Sequence, residues 1–144
     1  MQIHIVNGPN LNLLGKREPE LYGSETFEDF MKILVNEFVG VNLSYFHSNV
    51  EGELINDLQA HGFSTEGIIL NAGGYTHTSV AIADAISAIT VPVIEVHISN
   101  IFNREDYRHV SILGKNCIGT ISGFGLDSYR LAITAFLNLQ HLKK

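Results

Sequence analysis

Residues 3–23 read IHIVNGPNLNLLGKREPELYG. Ile3, Ile5 and Val6 are apolar and β-branched, as in a buried strand, and Gly8 and Pro9 end that strand after Asn7. Asn10 and Asn12 then stand just past its carboxyl end, where ligands bind in an open parallel sheet. Arg17 and Tyr22 follow on a segment with Gly15 and Gly23 at its ends, the form of a lid that hinges over a site. Any one of these residues suits an ordinary surface turn. Amides, an arginine and a tyrosine gathered on one loop point to a ligand.

Outward from that loop the chain alternates between strands and helices. Phe27, Phe30, Met31, Leu34, Val35 and Phe38 recur at helical spacing after Thr26, which caps the helix with Asp29 three residues on. Val41, Leu43 and Tyr45 alternate as in a strand ending at His47-Ser48-Asn49, and Leu54, Ile55 and Leu58 mark a helix that Gly62 terminates. Residues 67–71 (GIILN) form a third strand, followed by the turn Ala72-Gly73-Gly74 and a helix carrying Ala81, Ile82, Ala85, Ile86 and Ile89. Pro92 to Val96 makes a fourth strand and Cys117 to Ile121 a fifth, before a last helix with Tyr129, Ala132, Ile133, Phe136 and Leu137 on one face. Such alternation predicts an α/β fold of flavodoxin-like type, a five-stranded parallel sheet with helices on both faces. Asn10, Asn49, Asn71 and His97 then emerge at one edge.

The 144 residues carry a single cysteine, Cys117, a net charge of −6 and 45% hydrophobic residues. That length and apolar content predict one domain over residues 1–144, with some apolar surface buried between subunits. The negative charge and the lack of a basic run argue against nucleic acid or an anionic membrane as a partner. One cysteine allows neither an intramolecular disulfide nor a thiolate metal cluster, which suits a reducing compartment. No apolar run approaches bilayer-crossing length and no signal-peptide pattern opens the chain, so a soluble, cytoplasmic protein is expected.

His97 directly follows the fourth strand, and strand alternation points Glu95, two residues earlier, to the same side. A carboxylate beside an imidazole favours its protonated form and fixes its orientation, so His97 is expected to act as a general acid oriented by Glu95. The plainer reading is a polar pair satisfied at the sheet edge. His77 is placed at the start of the third helix with Asp84 seven residues on along the same face, able to bind hydroxyls or merely to decorate the helix. Arg104 and Arg108 are expected on one short helix started by Asn103, a solvated face from which one guanidinium can turn towards the site. Metal binding by His47, His77, His97 and Glu95 is the competing use of these groups, but no histidine spacing of the HExxH kind occurs, and no metal is expected. Gly123-Phe-Gly125 lacks the third glycine of a dinucleotide loop, which argues against NAD. The first loop has neither a flavodoxin's Ser/Thr-rich phosphate cradle nor a response regulator's acidic residues.

Four stretches, residues 7–23, SNVEG at 48–52, ILNAGGYTHTS at 69–79 and IEVHISN at 94–100, closely resemble the type II 3-dehydroquinate dehydratases, in order and from first strand to last helix. The resemblance implies loss of water from 3-dehydroquinate to give 3-dehydroshikimate on the shikimate route to chorismate and the aromatic amino acids. It implies Tyr22 as the base that removes a proton alpha to the ketone, His97 as the acid that protonates the departing hydroxyl, and Arg17 as the group that favours tyrosinate. A free tyrosine ionises only near pH 10, so a base near neutrality needs such a cation. Asn10 is placed to help hold the enolate.

By the same matching Asn71, His77 and Arg108 bind substrate hydroxyls, and the backbone N–H groups of Ile98 and Ser99 hold the carboxylate. Asp84 acts across a subunit boundary in a homododecamer built from trimers. No cofactor, metal or lysine Schiff base is implied. Val110 stands where many relatives carry histidine, and Ile112 where an aromatic residue is frequent, which bears on packing near Arg108. Two other classes compete: a metal-dependent hydrolase with His77 and His97 as ligands, and a flavodoxin-like module that binds a polyol or carboxylate without turnover. Neither gives a lid reason to carry both arginine and tyrosine.

Overall fold

The computed structural model of the chain describes residues 1–16, 20 and 24–139. Five strands, β1 (Gln2–Asn7), β2 (Asn42–His47), β3 (Gly67–Asn71), β4 (Val93–His97) and β5 (Gly119–Ser122), form one sheet in the order β2-β1-β3-β4-β5. Every pairing is parallel, with Asn7 in register with both His47 and Asn71. The described helices are α1 (Phe27–Glu37), α2 (Glu51–His61), α3 (Val80–Ala88) and α4 (Asp127–Asn138).

Strand alternation sends successive side chains of β1 to opposite faces, and each face has its own core. Ile3 and Ile5 meet Phe27, Phe30 and Leu34 of α1 and Tyr129, Ile133 and Phe136 of α4. Val6, Ile68 and Leu70 meet Leu54 and Leu58 of α2 and Ile82 and Ile86 of α3. Each fully buried Leu, Ile or Phe contributes about 1.5–3 kcal/mol, so two cores on one sheet suffice for a chain of this size. The apolar stripe of α1 and its cap follow the expectation: Thr26 accepts a hydrogen bond from the Asp29 N–H at 3.2 Å, and Glu28 and Asp29 face the helix's positive end.

Helix α2 ends at His61 with Gly62 as its cap, as expected, and Gly62 keeps a right-handed φ of −69°. It is glycine because a Cβ there would lie 2.3 Å from Ile89 Cγ2. The fourth strand begins after Pro92 and includes His97, and the fifth runs from Gly119 rather than Cys117. Residues 73–77 form a 3-10 turn, and α3 starts later, with Ser79 accepting from the Ile82 N–H at 2.9 Å. His77 and Asp84 therefore belong to different elements and share no helical face.

The direction of winding reverses between β1 and β3, which are neighbours in the sheet but not in sequence. Their carboxyl ends are held together by the Gly8 N–H, which donates to the Asn71 carbonyl at 2.7 Å. A Cβ on Gly8 would stand 2.5 Å from the Ala72 carbonyl oxygen, so this close approach admits only glycine.

Candidate active site

A cleft of about 150 Å³ opens at the carboxyl ends of β1, β3 and β4. That is space for several waters or a small polar ligand. Pro9, Asn10 and Leu11 after β1, Gly73, Gly74 and His77 after β3, and His97, Ile98 and Ser99 at the end of β4 line it, together with Arg104 and Arg108.

Strand β4 carries Glu95 and His97. Glu95 is fully buried, and the His97 Nε2–H donates to its Oε1 at 2.7 Å. Ser111 Oγ donates to the same oxygen at 2.7 Å and Thr120 Oγ1 to Oε2 at 3.2 Å. Burial alone would raise the Glu95 carboxyl. The hydrogen bonds from His97, Ser111 and Thr120, with the positive charge His97 carries when protonated, outweigh burial and hold it below the usual carboxylate range. An ionised carboxylate only accepts, so the imidazole must present Nε2–H to it, and Nδ1 is the nitrogen Glu95 does not engage. The alternation read from the sequence thus produces an oriented imidazole lining the cleft.

The His77 ring lies 6.3 Å from that of His97, nearly parallel, and its Nδ1 bonds the Val110 carbonyl at 2.8 Å. A carbonyl accepts only, so that tautomer leaves Nε2 without the proton. Asn71 Nδ2 donates to Tyr129 Oη at 2.9 Å, and its Oδ1 accepts from the Gly73 N–H at 3.2 Å. One amide hydrogen and one lone pair remain to it. Tyr129 Oη donates in turn to Asn7 Oδ1 at 2.7 Å, and burial pushes this hydroxyl well above the ordinary tyrosine range. Tyr129 therefore stays protonated and serves as a brace rather than a base.

The arginines sit otherwise than expected. Residues 101–103 and 106–108 form two separate 3-10 turns, the first capped by Asn100, whose side chain accepts from the Phe102 N–H at 3.1 Å. Asn103 therefore starts no helix. Both guanidinium groups line the cleft, so the sequence singled out Arg108 and missed Arg104, whose Nη1 reaches Ser99 Oγ at 3.4 Å. Arg108 Nε donates to Glu105 Oε2 at 2.8 Å.

Asn10 adopts φ 70°, which asparagine tolerates better than most residues, and its N–H donates to Asn49 Oδ1 at 2.9 Å. Asp84 is exposed on α3 and does not line the cleft. Arg17 and Tyr22 lie outside the described residues. Val110 and Ile112 make main-chain hydrogen bonds beside the site. The Val110 carbonyl holds His77, and the Ile112 N–H donates to the Thr76 carbonyl at 3.0 Å. The Val110 side chain is exposed.

Such a site at the switch point of a doubly wound sheet defines a flavodoxin-like α/β enzyme acting on a small polar molecule. More specifically, the chain belongs to the class II dehydroquinase family, whose model matches residues 1–137. It is 53% identical to the 3-dehydroquinate dehydratase of an Exiguobacterium species, covering 95% of this chain and 94% of that relative. The enzyme of the same name from Prochlorococcus marinus is 48% identical over 96% of this chain and 97% of its own length. The crystal structure of a type II dehydroquinase from Butyrivibrio crossotus matches with a TM-score of 0.89 at 42% identity, covering 95% of this chain and 97% of that one.

Proposed function

We propose that this chain, acting as one domain, dehydrates 3-dehydroquinate to 3-dehydroshikimate through an enolate, with Tyr22 as base and His97 as general acid. The observation that carries the reading is the Glu95-oriented imidazole of His97 lining a cleft at the carboxyl ends of the strands. Tyrosinate takes the proton alpha to the ketone, and the electron pair moves onto the carbonyl oxygen as the enolate forms. When the carbonyl re-forms, the carbon–oxygen bond to the leaving hydroxyl breaks and His97 supplies the proton that makes it water. Arg17 favours the tyrosinate, and Asn10 helps to hold the enolate.

Asn71 offers its remaining amide hydrogen and lone pair to a substrate hydroxyl, beside His77 and Arg108, while the N–H groups of Ile98 and Ser99 receive the carboxylate. Asp84, exposed on α3, suits contact with a neighbouring subunit of a homododecamer. A cytoplasmic enzyme of the shikimate pathway fits the family, and no helix among the described residues is long and apolar enough to cross a membrane.

The deciding measurement is ultraviolet absorbance of chelator-treated protein with 3-dehydroquinate, because dehydration creates a conjugated enone. A rising signal that also survives borohydride is expected. Binding without a signal overturns the dehydratase in favour of a binding module, and activity lost on chelation favours the metal-dependent hydrolase.

A further inference from the structure

On the α2 face of the sheet a second group of ionisable side chains has no part in the cleft. His4 is 2% exposed in the middle of β1, and its Nε2 lies 2.7 Å from Asp57 Oδ2. The Nδ1 of the same ring is 2.6 Å from Ser44 Oγ on β2. His61, four residues after Asp57 on α2, stacks on the His4 ring at 3.6 Å and 13°. Its Nδ1 lies 3.3 Å from Asp57 Oδ1 and 3.0 Å from the Asp57 carbonyl. One ligating atom from each of His4, Asp57 and His61 lies within 4.8 Å of the other two.

We propose that His4, Asp57 and His61 form a site for a divalent transition-metal ion of the Zn²⁺ type in the seam between β1 and α2. Two imidazoles and a carboxylate are the donors a borderline-soft ion prefers. Tetrahedral bonds of 2.0–2.2 Å place ligand atoms about 3.4 Å apart. The 2.7 and 3.3 Å separations from the Asp57 carboxylate fall short of that value by about 0.7 and 0.1 Å, and the widest separation exceeds it by about 1.4 Å at most, so side-chain movements on that scale, with the His61 ring turned off its stack on His4, seat the ion. Ser44 fixes the His4 ring from behind, the outer support that metal-bound histidines ordinarily have. Asp57 and His61 share one helical face by their spacing of four.

The ion has an entrance, because the His61 side chain is 32% exposed while Asp57 and His4 lie beneath it. On binding, His4 carries its proton on Nδ1, where Ser44 Oγ accepts it, and any second proton held between Nε2 and Asp57 leaves to solvent; His61 carries its proton on Nε2 instead of Nδ1, and His4 Nε2, an Asp57 oxygen and His61 Nδ1 bond the ion. Solvent fills the remaining coordination positions. The ion would tie β1 to α2 and so act on stability.

The test uses metal-depleted whole protein titrated with Zn²⁺, followed by calorimetry and thermal unfolding, with Co²⁺ as the visible-absorption probe. The wild type is expected to bind one Zn²⁺ per chain and to unfold roughly 5–10 °C higher at a hundredfold excess over Kd. Co²⁺ is expected to give the intense visible bands of a low-symmetry site. His61→Gln, at a half-exposed position that preserves the fold, is expected to lose both effects, whereas His97→Gln keeps them. No Zn²⁺ binding by the wild type, equal binding by His61→Gln, or binding lost in His97→Gln overturns the proposal. Dehydratase activity is expected to persist in the metal-depleted protein, so this site and the function of the cleft fail or stand separately.

Discussion

Two buried imidazole–carboxylate pairs have their rings on strands of the same sheet, each closed by a 2.7 Å contact between Nε2 and a carboxylate oxygen, and their surroundings differ. Among the described residues, His97 keeps Nδ1 unengaged beside the cleft. His4 has its Nδ1 taken by Ser44, and its carboxylate is shared with His61. A pair held at one end can pass a proton to a ligand, whereas a pair held at both ends can only brace the fold or exchange its proton for a cation. The chemistry of an imidazole is decided by its second nitrogen.

The sharpest way to break this comparison is to remove both rings separately. His97→Gln is expected to lower kcat by on the order of 10²–10⁴-fold with little change in melting temperature. His4→Gln is expected to keep kcat within about threefold while losing about 1–3 kcal/mol of stability from partners left unsatisfied. Reversed effects in paired kinetic and unfolding measurements would discard the division between a working and a bracing pair.

Next comes the carboxylate. Glu95→Gln puts an amide where the imidazole needs an ionised acceptor, and a fall in kcat of on the order of 10²-fold is expected. A kcat within about threefold of the wild type would leave Glu95 only a packing role.

The same carboxylate makes a smaller, thermodynamic prediction. Its folded value is depressed, so the stabilisation is fully present above the unfolded glutamate value near 4.3 and is lost as pH falls through the folded value. Wild-type stability minus that of Glu95→Gln, from urea unfolding at several pH values, should decline only in that acidic window. The smallest expected effect belongs to Val110→His. The contact with His77 comes from the main chain, so KM should change by less than about twofold, and a tenfold shift would show that the exposed side chain reaches substrate.

Much of this was legible because it obeys local periods. Short apolar, β-branched runs located β1 and β3, alternation located β2 and put Glu95 and His97 on one side, and the Thr26 signal placed the start of α1. The sequence motifs also led to the family that the whole-chain comparisons confirm. Lost were features that depend on competition between caps or on distant partners. His77 was assigned to α3 because nothing in the local pattern shows that Ser79 takes the cap. Arg104 and Arg108 were read as one helix, although Asn100 and the break at Arg104 divide the segment into two turns. The His4 group was invisible because its members are 53 residues apart, yet the spacing of Asp57 and His61 repeats the i, i+4 geometry by which helices pair ligands. Tyr129 fitted the apolar face of α4, and only the fold shows its hydroxyl spanning Asn71 and Asn7.

That hydroxyl has a consequence for how the molecule is made. Asn7 and Tyr129 are 122 positions apart, so the amide floor at the ends of β1 and β3 waits for almost the last helix to leave the ribosome. During N-to-C synthesis the first strand is available early, but its asparagine is braced only at the end. A nascent chain stopped before residue 127 would hold all five strands and all the residues proposed to touch substrate, and still lack the clamp that sets Asn7 and Asn71 at their proper spacing.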